Sequence, residues 1–197
     1  TPLLIVRQQG WTLQNILFDA PVDAAAVRLL RDAGAGDAER DASHATIQGC
    51  RFASGQNAIE WNGGPNFVKV VDNDFHNMTA AALVNVVGAG VGTDLFTVIE
   101  YNRFQDNQSA IRLPLNKSVI RYNTIGLFTV TTGFGVDLTG GFGDNMVHDN
   151  YFSGDYDGDY VAAANDSWAN NGSMDVASGE VGGAGADVPL TTAVPVP

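Results

Sequence analysis

The amino-acid sequence predicts an all-β protein: a right-handed parallel β-helix (a single-stranded solenoid) of about six coils over residues 1–171, with an extended C-terminal tail over 172–197. Three observations carry that expectation. A short phrase recurs six times: an apolar residue, two variable positions, usually Asn, one variable position, then Phe. The anchors Phe18, Phe52, Phe75, Phe104, Ile125 and Phe152 follow one another at 34, 23, 29, 21 and 27 residues, the spacing of a repeat array. The units are short and β-branched, without helical periodicity, so each reads as a strand.

Taken in order, Leu3 to Val6 is a candidate strand and Gly10 a turn. The six phrases run Leu13–Phe18, Ile47–Phe52, Val70–Phe75, Ile99–Phe104, Ile120–Ile125 and Val147–Phe152. Asn precedes the anchor by two residues in four of them, at Asn73, Asn102, Asn123 and Asn150. Asn suits a sharp corner, because it tolerates a left-handed backbone and its amide can bond the next Asn in the column.

A second strand follows each anchor: a small residue, an apolar one, an outward one and another apolar one. The copies are Ala58–Trp61, Ala110–Leu113, Gly135–Leu138 and, more loosely, Tyr160–Ala163, while Ala82–Val86 fits either of two registers. Residues 22–33 alone form an amphipathic helix, with Asp23 as N-cap and Gly34 just past its end. On the repeat grid, Ala26–Leu29 is instead a second strand, which is the reading adopted. Gly34–Ser43 is expected as a polar loop. The outward column Arg28, Glu60, Val84 or Asn85, Arg112, Asp137 avoids like-charged neighbours, as stacked strands should. Asn165–Asn171 closes the last coil; residues 172–186 read as a Gly/Ser/Ala linker and 187–197 as an extended Pro-rich arm.

Composition narrows the function. With 197 residues, 45% of them hydrophobic, the chain can build a continuous core. No run of 18 apolar residues suggests a transmembrane helix, and Thr1–Val6 lacks the pattern of a signal peptide. The chain also starts without Met, so it is expected to be processed or numbered from within a longer product. The lone Cys50 excludes an internal disulfide and reads as a small buried hydrophobe. A net charge of −12 argues against nucleic-acid or anionic-membrane partners. Eighteen Asp and four Glu face eight Arg and two Lys, a balance that suits a salty medium and that GC-rich coding also produces.

Candidate chemistry is sparse. Asp72 and Asp74 flank Asn73, and glycosidases need two carboxylates on one cleft, but Asp is also a common corner residue. Glu100, Arg121 and His148 share one outward position in successive coils, a possible proton-transfer column on what is otherwise a solvated face. Asp155, Asp157 and Asp159 resemble an oxygen-rich cation loop without the Glu that completes one, and an acidic turn is the preferred reading. His44 and His76 fall in turns and receive no role. Tyr151, Tyr156, Tyr160 and Trp168 are candidate sugar-stacking platforms. No zinc spacing, Gly-rich phosphate loop or nucleophile elbow occurs, so no metal, cofactor or catalytic residue is assigned.

The six phrases with their second strands resemble the right-handed parallel β-helix repeat of the pectate-lyase-like superfamily over residues 11–165. That superfamily includes pectate lyases, polygalacturonases and phage tailspikes. The resemblance implies the fold, and polysaccharide lyase or glycoside hydrolase activity as one alternative. Its catalytic signatures are missing: Arg112–Lys117 approaches the lyase Arg-x-Pro-x-x-Arg but ends in Lys. The phrases Gly10–Phe18, Asp41–Thr46, Leu113–Ser118, Asp137–Gly141 and Asp166–Trp168 resemble short β-helix proteins encoded among the structural genes of tailed bacteriophages. This second resemblance implies a non-enzymatic virion protein, a capsid decoration or spike. Such a protein would form a homo-oligomer, by analogy a trimer, contact capsid or tail proteins, and could touch surface polysaccharide.

Overall fold

The structure is a computed structural model that describes residues 1–31, 41–86, 94–126, 133–153, 158–163 and 165–173, with the backbone alone at 94 and 158–160. The chain winds as a parallel β-helix with three faces. The first face stacks seven three-residue strands: Thr12–Gln14, Thr46–Gln48, Lys69–Val71, Val98–Glu100, Val119–Arg121, Met146–His148 and Ser167–Ala169. The second carries Leu17–Asp19, the start of Arg51–Asn62, then Asp74–His76, Arg103–Gln105, Thr124–Gly126, Tyr151–Ser153 and Gly172–Ser173. The third carries Leu4–Val6, Ala25–Leu30, the end of Arg51–Asn62, then Met78–Asn85, Ser109–Arg112, Phe134–Asp137 and Gly158–Val161.

Every anchor lands on its equivalent. Leu13, Ile47, Val70, Ile99, Ile120, Val147 and Trp168 form one vertical file, and Phe18, Phe52, Phe75, Phe104, Ile125 and Phe152 another. The first four Phe rings stack at 4.9, 4.8 and 4.8 Å, each pair adding about 0.5–1.5 kcal/mol beyond area burial. A seventh rung extends the six expected. Trp168 replaces the aliphatic residue there and Ser173 the Phe, so the sequence disguises the repeat.

Two registers left open are settled. Residues 25–30 are a strand, paired on one side with Leu4–Val6 and on the other with Arg51–Asn62, with Val27 and Leu29 fully buried. Pairing on both sides outweighs the helical pattern. Leu83 aligns with Ile59 and Ile111, which puts Val84 in the charged column. One register differs from the expected: Tyr160, not Val161, aligns with Val136, and Val161 follows Asp137. The expected polar loop and C-terminal arm lie largely or wholly outside the described residues.

Of the two roles expected of the Asn file, the amide ladder up the column is present and the left-handed backbone is not. Asn73, Asn102, Asn123 and Asn150 are not themselves left-handed. The residues just before them are: Asp72, Tyr101, Tyr122 and Asp149, all with φ between 56° and 58°. The asparagines point inward and are buried. The Oδ1 of Asn102, Asn123, Asn150 and Asn171 each accepts from both the backbone N–H and the side-chain Nδ2 of the preceding rung's Asn, at 2.9–3.0 Å. Each Nδ2 also donates to a core carbonyl, Ile47 for Asn73 through Val147 for Asn171. A second ladder repeats the logic where the first face begins: Thr97 N–H bonds Ser118 Oγ, Ser118 N–H bonds Asn145 Oδ1, and Asn145 N–H bonds Asp166 Oδ1.

Cys50 occupies the Asn file in the second rung. Its thiol leans toward the carbonyls of Leu13 and Gln48 at 3.6 and 3.5 Å, and its N–H bonds Asn73 Oδ1. Burial pushes the thiol pKa up, so the neutral form is favoured in the fold. Its contribution to stability is intact below the ordinary thiol pKa and is lost as pH rises through the raised one. Native protein at neutral pH is therefore expected to resist thiol-specific alkylation and to react fully once unfolded in denaturant; rapid native labelling would contradict the buried placement.

Candidate functional site

The first face is bounded by two files of left-handed residues. One runs Gly10, His44, Phe67, Phe96, Lys117, Asp144, Asn165, and the other Asn15, Gly49, Asp72, Tyr101, Tyr122, Asp149, Asn170. A left-handed backbone suits Gly, Asn and Asp, and costs other residues on the order of 1 kcal/mol each. Phe67, Phe96, Tyr101 and Tyr122 accept that strain while remaining 44, 43, 56 and 42% exposed. Bulky rings, strained and turned to water, are what neither backbone geometry nor core packing asks for.

The rings stand on edge. His44 stacks on Phe67 at 4.7 Å, Phe67 on Phe96 at 5.1 Å, and Tyr101 on Tyr122 at 5.1 Å. Stacking recovers part of the strain. It also turns ring faces toward one another along the solenoid, leaving edges to meet solvent. Between the two files lie Val71, Val98, Val119 and Met146, the last half exposed.

The Glu100, Arg121 and His148 column is assembled as the spacing predicted. Its groups are engaged. Arg121 Nε donates to Glu100 Oε2 at 2.7 Å, and that bond raises the guanidinium pKa; the same guanidinium lies 5.4 Å from the Tyr122 ring. His148 Nδ1 lies 2.7 Å from Asp149 Oδ2 and meets Tyr122 edge-on at 6.0 Å.

Asp72 and Asp74 are not brought onto one cleft. Asp72 is an exposed left-handed corner residue of the first face, whereas Asp74 opens a second-face strand. Asp74 sits 2.7 Å from His76 Nε2 and 3.9 Å from Arg51. Asp155, Asp157 and Tyr156 lie outside the described residues, as do the side chains of Asp159 and Tyr160. Among the described residues no group of three His, Cys, Asp or Glu is placed to hold a metal. Trp168 is half-buried against Phe152, centroids 5.4 Å apart, and is not an open platform; Tyr151 is exposed.

Sequence reasoning missed Phe67, Phe96, Tyr101 and Tyr122. A signal for two of them was present: Tyr101 and Tyr122 occupy the same place, directly before Asn102 and Asn123, where Asp72 and Asp149 stand in other rungs. Glu60 was also underestimated. On the third face it is 4% exposed, ion-paired to Arg28 at 2.7 Å and bonded by Asn57 Nδ2 at 3.0 Å.

The pattern of the family described as "right handed beta helix region" matches residues 30–174, and the chain belongs to that family. No curated protein and no solved structure matches it.

The two ion pairs should behave differently. Arg28→Ala strands a buried carboxylate and is expected to destabilise by about 2 kcal/mol. Arg121→Ala opens a pair that water still reaches and is expected to change stability by less than about 1 kcal/mol. Urea unfolding measures both, and equal losses would contradict the difference in burial.

Proposed function

We propose that the chain is a non-enzymatic structural protein of a tailed-bacteriophage particle, a β-helical capsid or tail component carried at the virion surface. One observation carries the non-enzymatic part. In both clusters that could do acid–base work, the titratable groups other than the exposed corner residue Asp72 are matched to neighbours: Glu100 to Arg121, His148 to Asp149, Asp74 to His76. A general acid or base has to meet its substrate within hydrogen-bond reach, on a shaped site that excludes water. Here the groups lie on an outward sheet face. The phage placement is supported by the likeness of Gly10–Phe18, Asp41–Thr46, Leu113–Ser118, Asp137–Gly141 and Asp166–Trp168 to short β-helix proteins of phage structural genes.

A repeat scaffold suits such a role. Each rung contacts only its neighbours, so stability accumulates along the axis without a cleft or a moving part. In this reading the chain's partners are capsid or tail proteins and further copies of itself.

The reading is tested by incubating the purified chain with acidic and neutral polysaccharides and following unsaturated and reducing ends. No turnover is expected, and His148→Ala should behave as the parent does. Turnover that disappears in His148→Ala would replace the structural reading with an enzymatic one.

A further inference from the structure

Exposed large apolar side chains are unevenly placed. Leu3, Trp11, Ile16, Leu17 and Val22 are confined to the first rung and its approaches. Of the other seven among the described residues, Phe67, Phe96, Tyr101, Tyr122 and Met146 lie on the first face or its two corners, while Phe142 lies in the turn before Asp144 and Tyr151 on the second face. Exposed apolar side chains gathered on one face, here on either side of a charged column, mark a place where another surface docks.

Charge permits a second copy as the occupant. The face and its corners carry Lys69, Lys117 and Arg121 against Asp72, Glu100, Asp144 and Asp149, one net negative charge out of the chain's twelve. Both lysines of the whole sequence are here. A face this close to neutral does not repel a second copy of itself.

Resting on the structural reading above, but in place of the trimer that the phage resemblance implies, we propose that the first face is where two copies of this chain meet, face to face and antiparallel. The two-fold axis lies in the interface between the fourth and fifth rungs, perpendicular to the solenoid. That operation sets the Val98 rung against the Val119 rung of the other copy. Val98 meets Val119, Glu100 meets Arg121, Tyr101 meets Tyr122, and Phe96 meets the Lys117 ammonium. Each contact occurs twice, as an isologous interface requires. One rung further out, Lys69 meets Met146 and Val71 meets His148. The like-charged meeting, Asp72 with Asp149, falls at a corner on the rim, where water screens it. A parallel arrangement would instead lay the Glu100 and Arg121 column over valines and leave those charges unmatched.

The area suffices. Six overlapping rungs at about 4.8 Å and six residues at about 3.3 Å give roughly 500 Å² per copy in projection. That is about 1,000 Å² in all, the size at which specific association begins. Association also gives the strained, exposed aromatic corners what the isolated chain does not: cover from water.

Sedimentation of the full chain from micromolar to submillimolar concentration tests the proposal. A reversible dimer is expected. Val119→Asp should weaken it at least about tenfold, and Arg121→Glu by a similar factor, while Glu100→Arg combined with Arg121→Glu restores it. Arg103→Glu, on the second face, should leave association unchanged. Circular dichroism and melting of each variant separate lost association from lost fold. A chain that stays monomeric, forms a trimer, or dimerises with the same affinity in Val119→Asp overturns the proposal. None of these outcomes depends on the polysaccharide assay, so the two readings fail separately.

Discussion

A parallel β-helix has to turn its chain sharply and repeatedly without leaving buried amides unpaired, and here a file of asparagines solves that problem. At the corner between the first and second faces the backbone reverses through a left-handed residue and cannot bond only as a strand does. The next residue points inward, and its carboxamide supplies one acceptor and two donors. Stacked at the rung spacing, each amide oxygen takes the N–H groups of the rung before, and each amide nitrogen bonds a core carbonyl. The polar file therefore runs through a hydrophobic core fully satisfied, the condition under which buried polar networks rigidify a fold.

The corner geometry also governs the surface. Because the left-handed position recurs in every rung of the first face, whatever side chain occupies it is presented in a row at the spacing of the strands. Asp, Asn and Gly fill most of these places cheaply. The exceptions are His44, Lys117 and four larger rings, two phenylalanines and two tyrosines on opposite corners of the same face, and those four mark the part of the solenoid where sequence serves something besides backbone conformation. Their stacking aligns them, and their exposure makes them available. The charged column between them, already paired within the chain, adds direction to a face that is otherwise nearly neutral.

Much of the fold was legible because equivalent residues repeat by type. The Phe and Asn phrases named the vertical files, and every anchor of the six phrases pairs as the spacing requires. Failures came where a rung keeps the geometry but changes the residue. Trp168 and Ser173 hide the seventh rung, and Tyr160 carries a register that composition alone misplaces by one. The candidate site was less visible. Its charged column follows from strand register, but the aromatic corners depend on which residue takes the left-handed backbone. The sequence assigned that conformation to the Asn, whereas it belongs to the residue before it. That single shift converts Tyr101 and Tyr122 from incidental outward residues into a strained pair.

The most direct test of this account is the stability of Asn123→Ala against Thr124→Ala, measured by urea unfolding with far-UV circular dichroism. Asn123 is 1% exposed and its amide engages Asn102, Asn150 and the Ile99 carbonyl, whereas its neighbour Thr124 is exposed. Removing the amide strands buried donors and an acceptor at about 1–3 kcal/mol for each group, so a loss of at least about 3 kcal/mol is predicted. Thr124→Ala should stay within about 0.5 kcal/mol of the parent. Equal and small effects of the two substitutions would contradict the claim that the asparagine file holds the coils together.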